Sequence, residues 1–248
     1  MAILWQKKVA GTTYEVRSAG RTRRLYTDGV FHSQYNPERP VTGSIWDLLL
    51  LPAYFYPKGT IKRILVLGVG GGAVIQQFQH FLKPEKITGV ELNTNHLYIA
   101  RHYFGVRHSN ITLIHADAIE WVKEYQGERF DLIVDDLFGE QGGEPVRAIN
   151  ANLQWFRLLS RMLSKEGALV TNFVSSRELK QCSYFKDKEM RGKFKSAFKL
   201  SAPAYENAIG VFLKVAGSTL VLKKHLIQIP ELNPNLKSCR LNYSIQRL

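Results

Sequence analysis

The stretch ILVLGVGGGAVIQQFQHFLKPEKITGVE, residues 64–91, decides the fold. Ile64 to Leu67 is a short apolar run without alternation, as a parallel strand covered on both faces requires. Gly68, Gly70 and Gly72 follow at once and let a ligand touch the backbone. A helix predicted from about Ala73 to Phe81 points its first N–H groups at that ligand. Glu91 ends the next predicted strand, where a carboxylate can accept bonds from both ribose hydroxyls. Strand, glycine turn, helix, strand and acid together describe a cradle for a nucleoside.

Outward from this unit the chain keeps alternating. Strands are predicted at 63–67, 86–91, 111–115, 130–135 and 168–173, with helices at 73–82, 93–104, 117–125 and 150–163 between them. Such repetition means a doubly wound parallel sheet. Upstream, TTYEVR (12–17) and RRLYT (23–27) read as a β-hairpin, Asp28-Gly29 as a further turn, and Ser44 as the N-cap of an apolar helix running to about Tyr56. Downstream, one amphipathic helix is expected within 177–199. Two last strands, 209–215 and 218–223, flank Ala216-Gly217 and must pair antiparallel.

The expected fold is therefore α/β: a Rossmann-like, mostly parallel sheet of seven strands closed by an antiparallel C-terminal hairpin, with a small N-terminal β-hairpin extension. Residues 1–43 form the extension, 44–223 the nucleoside-binding domain, and 224–248 a basic tail lying as a loose strap.

Composition bounds the function. A chain of 248 residues with four Trp, eleven Tyr and thirteen Phe is expected to bury one good core. The apolar stretch Ile45–Tyr56 is interrupted by Asp47 and Pro52 and is too short for a bilayer. The N-terminus lacks signal-peptide order, and Cys182 and Cys239 show no metal or redox spacing, so a cytoplasmic setting is expected. The histidines show no paired-ligand spacing, so no metal site is expected. The net charge of +13 gathers in residues 1–24, 177–199 and 223–248, and leaves the nucleoside-binding part balanced. Those margins make nucleic acid a possible partner beside a small-molecule acceptor.

In an open α/β sheet the ligand crosses the carboxyl ends of the strands. After the first lie Gly68, Gly70 and Gly72; after the second, Glu91; after the third, Asp117-Ala118; after the fourth, Asp135-Asp136. Glu91 is assigned to the ribose and Asp117, with Ala118, to the adenine, although Asp117 serves equally as a helix cap. Asp135 or Asp136 is expected at the reacting end.

These loops carry a resemblance. LYTDGVF (25–31), VLGVGGGAV (66–74), GVELN (89–93), LIHADAIEWV (113–122), FDLIVDDLFGE (130–140) and LSKEGALVTNF (163–173) make the chain similar to the spermidine-synthase-like branch of the class I S-adenosylmethionine-dependent fold. The resemblance implies S-adenosylmethionine or its decarboxylated form as ligand, and a homodimer. It also implies an acid inside the glycine loop, where Gly71 stands here, and a second aspartate three after Asp135, where Phe138 stands. The family's Gln after the Asp-Gly turn is His32, and its Tyr/Glu pair opening the next helix falls in Thr42 to Ile45.

Chemistry bears on the choice of reaction. A primary amine with a pKa near 10 is only about one-thousandth neutral at pH 7, which costs about 4 kcal/mol. Aminopropyl transfer therefore calls for carboxylates, whereas methyl transfer rests mainly on alignment. With acids missing at 71 and 138, the first expectation is a methyltransferase acting on an unidentified acceptor, with Asp135 meeting that acceptor. Polyamine aminopropyl transfer is the alternative. Further alternatives are a nucleic-acid methyltransferase, a non-catalytic nucleoside-binding protein, and an NAD enzyme, since residues 68–73 also fit G-x-G-x-x-G/A.

Overall fold

The computed structural model describes residues 1–142 and 144–248, without the side chains of residues 140, 141 and 144. Among the described residues the strands form three sheets. The first is four-stranded and antiparallel, built in chain order from β1 (Ala2–Val9), β2 (Thr12–Ala19), β3 (Thr22–Thr27) and β4 (Val30–Tyr35). The expected hairpin is its middle pair. In β4, VFHSQY, Ser33 and Tyr35 are buried while His32 before them and Gln34 between them are less so, the period-2 sign of a strand covered on one face.

Ser44 precedes α1 (Ile45–Leu50), which passes into a 3-10 turn, Leu51–Phe55, containing Pro52. The Asp47 carboxylate accepts from the backbone amides of Thr42, Gly43 and Ser44, so this entry loop is tied down by one side chain. Alternation then follows as expected: β5 (Arg63–Leu67), α2 (Ala73–Phe81), β6 (Lys86–Glu91), α3 (Thr94–His102), β7 (Ile111–His115), α4 (Ala118–Glu124) and β8 (Phe130–Asp135). A small hairpin, β9 (Phe138–Gln141) with β10 (Glu144–Arg147), precedes α5 (Leu153–Met162) and β11 (Leu163–Phe173). Trp155, Phe156, Leu159 and Met162 bury one face of α5, the 3–4 spacing of an amphipathic helix on a sheet.

The C-terminal third differs from the sequence reading. The single helix expected within 177–199 is three short ones, α6 (Ser176–Gln181), α7 (Ser183–Lys186) and α8 (Lys188–Lys193), followed by β12 (Ser196–Ser201). Ser175 and Asp187 cap new helix starts with their side chains and break the periodicity. β13 (Ala208–Leu213) is a strand as expected, but residues 219–226 form a helix, α9 (Thr219–Leu226). Leu222 and Leu226, four apart, are fully buried while Leu220 and Val221 are exposed; one-sided packing overrides the β-prone run. The antiparallel closure exists, but it is made by β12 on β13. The boundary expected at 223/224 falls inside α9. Nor is the tail a loose strap, because Leu232 and Leu241 are buried and β14 (Ser244–Arg247) pairs with β12.

The large sheet thus has eight strands in the order β14-β12-β13-β11-β8-β5-β6-β7, parallel from β11 to β7 and antiparallel at β13, β12 and β14. Two apolar layers cover its faces. One includes Phe78, Leu132, Val134 and Phe198; the other includes Leu65, Val90, Trp155, Phe156 and Phe212. No described helix is long and apolar enough to cross a membrane.

Candidate active site

β5, β6 and β8 end side by side, and their next residues touch. Gly68 has φ +84 and donates its N–H to the Val90 carbonyl at 3.0 Å; any Cβ there would strike the Asp136 carbonyl. Position 68 must be glycine for both reasons. Beyond it, the turn closes on Glu91. One oxygen of Glu91 accepts from the amides of Val69 and Gly70, each at 2.9 Å, and the other from Asn93 N at 2.9 Å. Burial raises the pKa of Glu91, while these three N–H bonds and the neighbouring His32 oppose the rise. The carboxylate is held rigid at the strand end, and the oxygen that takes the Asn93 bond keeps a further lone pair for a hydroxyl.

The N-terminal sheet closes this side. Ser33 Oγ accepts from Gly71 N at 2.8 Å, and Tyr14 OH accepts from Asn93 Nδ2 at 2.9 Å. His96 lies 2.9 Å from Thr27 Oγ1 and 3.8 Å from Glu91, with its ring 5.1 Å from that of His32. Burial pushes both histidines down to about 4, and for His32 the neighbouring His96 adds to the effect. Both imidazoles are therefore neutral near pH 7. Ser33, Asn93, His96 and Tyr14 escaped the sequence reading, which looked after strand ends and not at the sheet that folds onto them.

Position 71 explains one departure from the family pattern. A Cβ on Gly71 would lie 2.8 Å from Phe104 Cζ and 2.8 Å from Ser33 Cβ. Phe104 and Ser33 occupy the space into which a longer side chain would point.

Across the strand ends the two aspartates part company. Asp135 is fully buried; its Oδ2 accepts from Arg147 Nη2 at 2.7 Å and from Trp155 Nε1 at 3.0 Å. Arg147, itself buried, also donates to the Asn172 carbonyl at 2.7 Å and lies over the Phe173 ring. The expectation that Asp135 meets an acceptor does not fit this geometry, because its side chain turns into the layer that holds Trp155. Asp136 is partly exposed and takes the other direction. Its Oδ1 accepts from Asn172 Nδ2 at 2.8 Å, and Asn172 Oδ1 accepts from Asn207 Nδ2 at 3.0 Å. Burial, reinforced by the Asp135 and Glu91 charges and opposed by the Asn172 bond and Arg147, lifts Asp136 to about 6. Asn172 and Asn207 were not singled out from the sequence; Asn172 lies near the end of β11, beside β8, and Asn207 just before β13, the next strand out.

Asp117 is exposed and caps α4, accepting from Ile119 N at 2.7 Å and Glu120 N at 3.3 Å through one oxygen. Ala118 begins that helix and is buried beneath β5 and β6. Gly70 and Gly72 complete the turn, Gly72 as N-cap of α2. Among the described residues no group of three or more His, Cys, Asp or Glu side chains gathers as a metal site would.

Comparison with known proteins agrees with this architecture. The spermine/spermidine synthase domain family matches residues 48–225, so the chain belongs to that family. A polyamine aminopropyltransferase 2 from Caldanaerobacter subterraneus subsp. tengcongensis is 23% identical over 157 residues, covering 62% of this chain and 50% of that protein. The chain spans about half the length, or less, of the curated relatives it matches. Among solved structures, a probable spermidine synthase from Corynebacterium glutamicum superposes with a TM-score of 0.74 at 16% identity, covering 100% of this chain and 91% of that one. Human methyltransferase-like protein 13, solved in complex with SAH, gives a TM-score of 0.63 at 15% identity, covering 77% of this chain and 93% of that one. These structures share the fold.

Proposed function

We propose, from membership of the spermine/spermidine synthase family, that the chain transfers an aminopropyl group from decarboxylated S-adenosylmethionine to an amine. The family match over residues 48–225 carries this reading, and it reverses the order in which the residues alone ranked the two reactions. Named aminopropyltransferases among the relatives support it further.

In this reading Gly68, Gly70 and Gly72 let the donor approach the backbone, Glu91 holds the ribose hydroxyls, and Asp117 with Ala118 borders the adenine. Neutral His32 sits beside Glu91 without adding a charge that would repel a sulfonium. The donor sulfonium is already an activated leaving group. The acceptor nitrogen forms a bond to the aminopropyl carbon, the C–S bond breaks, and sulfur keeps the electron pair as a thioether. The proton lost by the amine needs a base, and Asp136 is that base. A carboxyl at about 6 is ionised at neutral pH yet closer to the amine in proton affinity than an ordinary aspartate. With glycine at 71 and Phe138 where a second aspartate is expected, the acceptor is an amine whose remaining length is less cationic than a long polyamine.

The test is product analysis by mass spectrometry after incubation with decarboxylated or intact S-adenosylmethionine and a panel of mono-, di- and triamines. Aminopropylated amine and a methylthio-nucleoside from the decarboxylated donor are expected. Asp136→Asn should lower kcat by about 100-fold or more, the scale of a lost general base, with donor affinity kept. Methylated product from the intact donor, and none from the decarboxylated one, would overturn the proposal. Methyl transfer is the second reading, favoured by one observation: Phe104 and Ser33 leave no space for an acid at position 71.

A further inference from the structure

A groove of about 490 Å³ runs along the outer edge of β7, away from Glu91 and Asp136. Four of its walls are basic: Arg101 and His102 at the end of α3, and Arg107 and His108 in the loop before β7. All four are exposed, and no acidic residue lines the groove. Its floor is apolar, made by Val106, Ile111 and Leu113. The run RHYFGVRH (101–108) is a local basic cluster, without an acid, in the part of the chain whose charges balance overall.

The arginines are fixed. Arg107 Nε donates to the Arg101 carbonyl at 2.7 Å, and Arg101 Nη2 reaches the Leu113 carbonyl at 3.4 Å. Both leave other N–H groups directed at solvent. Beside them stands an aromatic platform. Tyr98, which is 42% exposed, stacks on His102 with centroids 4.0 Å apart and planes at 22°, and Trp5 of β1 packs on Tyr98 and Tyr103 at 5.7 and 6.0 Å.

We propose that this groove binds single-stranded nucleic acid: Arg101 and Arg107, with the two histidines, hold successive phosphates, and the Tyr98–His102 stack receives a base. Fixed cations without acids match a polyanion, and an exposed ring stack beside them suits an unpaired base. A peptide strand adding to the β7 edge fits less well, because Arg101 already takes the Leu113 carbonyl and two arginines flank the edge. This site is separate from the transferase cleft and stands whether or not the aminopropyl reading does.

Fluorescence anisotropy of a labelled 12-nucleotide oligouridylate, titrated with the full chain at several salt concentrations, tests the proposal. Binding is expected, with log affinity falling against log salt at a slope of about −1.5 to −3, the value for two to four phosphates contacted on a single strand. R101E/R107E and the milder R101Q/R107Q should each weaken binding at least tenfold, and Tyr98→Ala several-fold, with thermal midpoints kept. K223E/K224E on exposed positions of α9 makes the same charge change elsewhere and should leave affinity within twofold. No binding at low salt would overturn the proposal. Equal losses in the α9 variant would assign binding to net charge alone, and uridine monophosphate binding as tightly as the oligomer would make the groove a nucleotide pocket; either also overturns it.

Discussion

On the side of the cleft that the proposed function gives to the donor, Glu91 is buried at the strand ends, with three backbone amides around it and two neutral histidines behind. On the acceptor side, Asp135 spends its charge inside the protein, against Arg147 and Trp155, and leaves Asp136 to face outward on an asparagine pair. One side uses an acid to brace the glycine turn; the other uses an acid to anchor the hairpin that follows β8. The same strand-end position therefore holds a turn in one place and a hairpin in another. What separates them is the partner waiting there, an array of N–H groups or a buried guanidinium.

The sharpest way to break the comparison is to remove the guanidinium. Arg147→Met leaves Asp135 buried with only Trp155 donating to it, and breaking such a pair costs about 3–5 kcal/mol. Urea denaturation should show that loss. An effect under about 1 kcal/mol would mean that the hairpin does not depend on the pair, and Asp135 would then be free to act in chemistry.

Next in size is a change that imports the family's acid into the donor side. Gly71→Asp forces a side chain against Phe104 and Ser33, and overpacking of this kind costs about 1–3 kcal/mol. Phe104→Leu in the same chain makes room and should recover part of the loss, so a double-mutant cycle by thermal denaturation should give a favourable coupling. If Gly71→Asp alone is neutral, Phe104 does not guard the position. In the double variant, tighter binding of the decarboxylated donor by isothermal titration would identify Gly71 as the residue that sets donor preference.

The two sides were not equally legible. The donor side is a local grammar of strand, glycine turn, helix, strand and acid, and every member was readable because its partners lie within about thirty residues. His96 and Ser33 were missed because they reach Glu91 and Gly71 from elements whose packing no local pattern reveals. The acceptor side depends on which of two adjacent aspartates turns inward, and that is decided by Arg147 and Trp155, 12 and 20 residues further on. In the C-terminal third, SAFKLS has little strand preference of its own and becomes β12 only by lying between β13 and β14. Residues 218–223 look like a strand, and 219–226 form α9 because Leu222 and Leu226 bury together, with His225 Nδ1 2.8 Å from the Tyr54 carbonyl. Contacts distant in sequence decided both.

The smallest effect expected, and the one that probes both sides at once, is on pH. His32 and His96 are pushed from about 6.5 to about 4 in the folded protein, so the stability they contribute is present above about pH 6.5 and is lost as pH falls towards 4. Asp136 is lifted from 3.8 to about 6, so its contribution is greatest below about pH 4 and is lost as pH rises through 6. Between pH 4 and 6 the two sides pull in opposite directions and partly cancel. His96→Gln removes one of the two rising contributions, so its urea midpoint should gain less than wild type's as pH rises from 4 to 6. Asp136→Asn removes the opposing one, so its midpoint should decline more steeply as pH falls from 6.5 to 4. Profiles that run parallel to wild type in both variants would show that neither group titrates as its surroundings demand. A changed slope in only one would locate the titrating group on that side of the cleft.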